Sequence, residues 1–192
     1  PAADRIFTLW SPTDPAIFNT GNSVRDIPVS FFGQVNSYRR SRVEFVQHLR
    51  NENIPAYLST ADRRNQVLSH SEYADILKRS KISLNFSYSV SCHQIKGLVF
   101  DVMQCGAMLL ESENEQTSRF FSPMKDYVPF SSKTDMVDKI RYYLTHDDER
   151  QTIADNGRKK TEVVYNHYQH WHKLFSRLGF YLHHSGNSFL PP

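Results

Sequence analysis

The chain has 192 residues, is 39% hydrophobic and 22% charged, and carries a formal net charge of +3, which suits a soluble globular domain with a substantial core and excludes a disordered chain. No run approaches the roughly 20 apolar residues that cross a bilayer, and no basic-then-apolar opening directs export. Two cysteines, Cys92 and Cys105, are too few for a disulfide framework or a zinc site, so reduced thiols in a cytoplasmic setting are the simpler reading. The mild positive charge suits anionic ligands and is compatible with peripheral membrane association of a longer protein. Lys and Arg are dispersed rather than clustered with aromatics, so nucleic acid is not an expected partner.

Residues 1–27 begin with Pro1 and are rich in Pro, Asp and Thr, which reads as a lead-in or linker in an excised piece of something longer. The run IPVSFFG reads as a buried strand, followed by the loop QVNSYRR and a helix starting near Ser41, where Ser41 and Glu44 have capping-box spacing. Val43, Val46 and Leu49 are expected to form that helix's apolar face. Residues 54–58 read as a second strand, and residues 72–79 as a helix with Ser69 and Glu72 at capping spacing.

The segment 81–111, KISLNFSYSVSCHQIKGLVFDVMQCGAMLLE, is the most informative. Ile82, Leu84 and Phe86 supply a third strand. Residues 87–94 then present hydroxyls, a thiol, an imidazole and an amide, Lys96 and Gly97 open a helix, and Gly106 ends it before a strand beginning at Ala107. Further on come a short turn at 116–121, a strand at 127–130, and helices at 133–144 and from Asp147. Gly157 is expected to end or bend that last helix before another at 159–175, and residues 179–192 are a tail without a convincing period. This alternation predicts an α/β fold, an open parallel sheet with helices on both faces over residues 28–178. Ligands of such a sheet bind beyond the strands' carboxyl ends, where a helix N-terminus attracts phosphate.

The stretch QIKGLVFDVMQCGAMLLES resembles the segment in which GT-B glycosyltransferases carry a small-residue turn, a helix with an acidic residue, and "CG" before a strand. It is most similar to the group 1 branch related to spore-maturation glycosyltransferases, and the likeness extends loosely over residues 28–172. The resemblance implies a Rossmann-like, donor-binding half of a GT-B fold. Its substrate would be a nucleoside-diphosphate sugar, its acceptor-binding N-terminal domain would lie outside this chain, and no metal or other cofactor would be needed. It also implies that the aromatic helix VVYNHYQHWHKLF crosses back toward that other half.

Asp101 stands where the family places a glutamate on the ribose, a departure that shortens the reach by one methylene. His93 stands eight residues earlier, at the position of the glutamate near the donor sugar in retaining relatives, and is the candidate catalytic residue without that glutamate's permanent charge. Lys96 can offset charge on a departing diphosphate. Ser91 and Gln94, with Ser89, are candidates to line the sugar pocket. Arg39 or Arg40 follows the first strand where the family places a basic residue on the pyrophosphate, and Gly33 allows close approach of the backbone. Glu111, Ser112 and Glu113 lie past the next strand at the ligand-facing edge and read first as a polar loop, with contact to the nucleotide or an acceptor as the alternative. His167, His170 and His172 do not make a metal set, because only the first two share a helix face. A non-catalytic binding or interaction module that keeps the fold is the alternative, permitted by the His93 and Asp101 departures.

Overall fold

The computed structural model describes residues 8–35, 40–60, 68–86 and 94–179. Five strands, β1 (Ile27–Phe32), β2 (Ala56–Ser59), β3 (Ser80–Asn85), β4 (Met108–Ser112) and β5 (Val128–Phe130), form an open sheet in the order β2-β1-β3-β4-β5. Every pairing is parallel, so the expected Rossmann-like architecture is the one observed. The strand order reverses between β1 and β3.

Side chains alternate across the sheet, as the two-residue strand period requires. One face carries Val29, Phe31, Ile82, Leu84, Met108 and Leu110 into a core completed by Val46 and Leu49 of α1 (Arg40–Asn51) and by Met136, Val137 and Ile140 of α5 (Lys133–Thr145). The opposite face meets α2 (His70–Arg79) and α3 (Gly97–Gln104), with Ala74, Leu77, Val99, Phe100 and Leu109 in its core. Here the central strands turn polar: Ser30 and Ser83, partners in register, are fully buried.

Local signals account for most helix ends. Ser69 Oγ accepts from Glu72 N at 3.2 Å and Glu72 Oε2 accepts from Ser69 N at 2.8 Å, the reciprocal box expected at α2. At α1 the helix begins at Arg40, next to the expected start, the Ser41 side chain lies outside the described residues, and Glu44 pairs with Lys133 at 3.3 Å. Val43 is 42% exposed, and Arg42 shares the inward stripe with Val46 and Leu49. The true stripe therefore runs i, i+4, i+7 from a charged residue.

Gly106, at φ +71, ends the α3 turn as expected. Beside it Arg25 donates to the carbonyls of Lys78 at 3.0 Å, Ser80 at 2.7 Å and Cys105 at 2.8 Å, satisfying acceptors where both α2 and α3 stop. Gly157 does not break its helix: α6 (Asp147–Val163) runs through it without interruption. A Cβ at Gly157 would lie 2.5 Å from the Asp126 carbonyl and 3.3 Å from Met103 Sδ. The glycine thus allows close packing of α6 on the α3 side, and the break falls later, before α7 (His167–Arg177).

Residues 8–26, read from the sequence as a lead-in, pack on the domain, with Trp10 and Phe18 in the core beside α3. Trp10 Nε1 donates to the Asn166 carbonyl at 3.3 Å, and its ring meets Tyr165 and His170 edge-on. The described part of α7 buries no residue fully, and Trp171 is 46% exposed. No helix among the described residues is long and apolar enough to cross a membrane.

Candidate anion-binding site

All five strands are parallel, so their carboxyl ends open on one edge, and the β1/β3 reversal leaves a crevice there. Gly33 follows β1 at φ +155, and a Cβ on it would sit 3.2 Å from Arg42 Nη1 and 3.2 Å from the Phe31 ring. The space it leaves is the space the Arg42 guanidinium uses. That side chain is buried, with Nη2 donating to the Phe86 carbonyl at 2.8 Å and Nη1 to the Gln34 carbonyl at 3.3 Å. Lys96 Nζ donates to the same Phe86 carbonyl at 2.5 Å. One oxygen just past β3 therefore draws two cations from different elements to the crevice. Lys96 is also the N-cap of α3, extended in backbone and without a side-chain cap bond, so the first amides of α3 lie beside it.

The β4 end braces this arrangement. Asn85 and Glu111 are register partners, both buried, and Asn85 Nδ2 donates to Glu111 Oε1 at 2.7 Å. Asn114, N-cap of α4 (Glu115–Ser118), donates to the Gln94 carbonyl at 3.3 Å and to Thr117 Oγ1 at 2.9 Å. Burial, together with the nearby Glu111 and Glu113 charges, pushes the Tyr127 phenol up to about 12.

Asp101 occupies the second turn of α3. Its carboxyl meets the Tyr73 hydroxyl at 3.4 Å and is also hydrogen-bonded by Thr13. Burial pushes it up to about 6, with the two hydroxyls opposing that rise. Burial likewise lifts the Cys105 thiol to about 12, which makes it an inert core residue. Among the described residues no three His, Cys, Asp or Glu side chains gather as a metal site. A separate cleft of about 720 Å³ lies by the last residue of α3, between residues 13–19 and the α6–α7 joint, lined in part by Tyr165, His167 and Tyr168.

Of the residues singled out in the sequence, Gly33, Gln94 and Lys96 stand at the crevice edge, Gln94 exposed and anchored through its carbonyl. Asp101 lies farther along α3 with Tyr73 and Thr13. Arg39, Ser91 and His93 fall outside the described residues, as does the Arg40 side chain, although Arg40 opens α1. Glu111 is not a loop residue: it belongs to β4 and is fully buried. Sequence reasoning passed over Arg42, whose available signal was its place in the stripe with Val46 and Leu49. It also passed over Asn85, which alternates with Leu84 onto the polar face.

No curated protein matches the sequence. Among solved structures, the chain is similar to the C-terminal domain of a group 1 glycosyltransferase (LpcC) from Francisella tularensis, with TM-score 0.63 and 11% identity over 81% of this chain and 99% of that one. It also resembles Anabaena Alr3699/HepE, solved with UDP and glucose, at TM-score 0.69 and 8% identity over 89% of this chain and 56% of that one. A Rickettsia africae glycosyltransferase superposes at TM-score 0.71 and 11% identity, over 90% of this chain and 56% of that one. The chain thus spans a little over half the length of the Anabaena and Rickettsia proteins, and its sheet is the Rossmann-like half of a GT-B fold. The glycosyl transferase-like family matches residues 21–176, most of the chain, and the chain belongs to that family.

Proposed function

We propose that this chain is the donor-binding half of a glycosyltransferase that moves a sugar from a nucleoside diphosphate to an acceptor held by a second domain. The observation that carries the reading is the convergence of Arg42 and Lys96 on the Phe86 carbonyl, at the β1/β3 crevice and beside the α3 N-terminus. A diphosphate there meets a forked guanidinium and a compact ammonium. As the glycosidic bond to the departing diphosphate breaks, negative charge grows on its oxygens, and fixed cations stabilise it without reorganising. Gly33 leaves room for the Arg42 guanidinium at this edge. Within this reading Arg39 or Arg40 adds to the same anion contacts, and Ser91, His93 and Gln94 face the sugar. Asp101, oriented by Tyr73 and Thr13, offers its remaining lone pairs to the ribose hydroxyls.

The test is calorimetric titration of this chain with uridine, guanosine, adenosine, cytidine and thymidine diphosphates and their sugar conjugates. Uridine diphosphate is the first probe, because the Anabaena neighbour was solved with it. Saturable binding is expected, weakened about tenfold or more by Lys96→Ala or Arg42→Lys, in line with the loss of one charge-assisted contact. Absence of binding to every diphosphate, also when the second domain is supplied, would sink the reading in favour of a non-catalytic module.

A further inference from the structure

The anion site has a buried acidic group that no step of the proposed reaction uses. Glu111 lies inside β4, fully buried, and accepts a 2.7 Å hydrogen bond from Asn85 Nδ2. A carboxylate taken out of water is costly to keep unless it is tied into a network, so its place at the sheet edge calls for a role. The chain of contacts supplies one. Asn85 is the last residue of β3, and the next carbonyl, that of Phe86, holds both Arg42 and Lys96. Holding the Asn85 side chain against β4 limits rotation of the peptide units that follow, and so aims the Phe86 carbonyl. A second brace works from the same side: Asn114, past the end of β4, holds the Gln94 carbonyl two residues before Lys96.

We propose that Glu111 is a positioning residue for the diphosphate site: through Asn85 it sets the Phe86 carbonyl, and that carbonyl sets the two cations. The inference deepens the donor-half reading and rests on it for the identity of the ligand, but the coupling of Glu111 to Lys96 is a property of the free protein. Affinity for diphosphate then depends on a carboxylate that repels the ligand's own charge, because its effect is geometric. Side chains that accept the Asn85 hydrogen bond preserve the site, and side chains that cannot accept it loosen the site.

The test uses the whole chain with lysine labelled at Cε, the Lys96 signal being assigned by its loss in Lys96→Arg. In Glu111→Leu, with native circular dichroism, the Lys96 signal is expected to move into the envelope of exposed lysines. In Glu111→Gln, whose amide oxygen still accepts from Asn85, it is expected to stay. Uridine diphosphate affinity should fall about tenfold in Glu111→Leu and change less than about twofold in Glu111→Gln. Asn85→Ala repeats the measurement should Glu111→Leu fail to fold. A Lys96 signal unmoved by Glu111→Leu or Asn85→Ala, or moved equally by Glu111→Gln, overturns the proposal. If the signal moves as expected while no diphosphate binds, also when the second domain is supplied, the positioning role stands and the donor-half reading falls.

Discussion

Arg25 ties two helix ends together. Its guanidinium, largely buried and with its pKa lowered chiefly by that burial, donates to carbonyls at the ends of α2 and α3 that have no helical partner. Arg25→Met keeps much of the apolar stem but leaves those acceptors unmet. We expect it to lower stability by about 2–4 kcal/mol, measured by urea unfolding monitored by circular dichroism. Asp101 makes the opposite kind of contribution. Its carboxyl lies near 6 in the fold against an ordinary 3.8, so the folded chain holds the proton more tightly than the unfolded one. The stability this contributes is fully present below about pH 4 and is lost as pH rises through about 6. Asp101→Asn should therefore gain stability over the parent at pH 8, on the order of 1–3 kcal/mol, with the gain shrinking toward zero near pH 4. Melting curves of both proteins across that range decide it, and a pH-independent difference contradicts the buried, raised carboxyl.

At the scale of elements, α6 shows how a residue of low helix propensity can sit mid-helix. Gly157 costs about 1 kcal/mol relative to Ala in an isolated helix, yet here a methyl group would run into the Asp126 carbonyl. Gly157→Ala is therefore expected to destabilise rather than stabilise, by about 1–3 kcal/mol, because backbone rather than a flexible side chain must give way. A raised melting temperature would show that α6 can shift without cost. The same element explains one limit of the sequence reading. Glycine inside a helical pattern has two meanings, a stop or a close approach, and only the partner surface distinguishes them. Ser69 and Glu72 carried no such ambiguity, since both halves of their box lie within four residues. The Ser41–Glu44 pair had the same spacing, but the Ser41 side chain lies outside the described residues and Glu44 pairs with Lys133, distant in the chain.

For the whole molecule, residues 8–26 are part of the fold. Trp10 is buried against Tyr165 and His170 and joins the opening of the described chain to the α6–α7 joint. Trp10→Ala should cost about 3–5 kcal/mol and lower the melting temperature by several degrees in calorimetry, as for large core aromatics. A variant with parent-like melting would mean that this segment merely rests on the surface. Thr13, in the same segment, contacts Asp101, so displacement of residues 8–26 also alters the surroundings of the candidate ribose ligand.

The sequence by itself determined the alternation of strands and helices, the parallel sheet and the family, because these rest on local periodicity, end signals and one long contiguous segment. It also picked out Lys96 and Gly33, whose places follow from adjacency to a strand end or a helix start. Only the tertiary structure decided that Arg42 is the buried cation of the β1 side, that Asn85 and Glu111 face each other, and that the opening segment belongs to the core. Each of those depends on which strands become neighbours and which helix face turns inward. Those choices are made by packing between residues distant in the chain, and no local pattern records them.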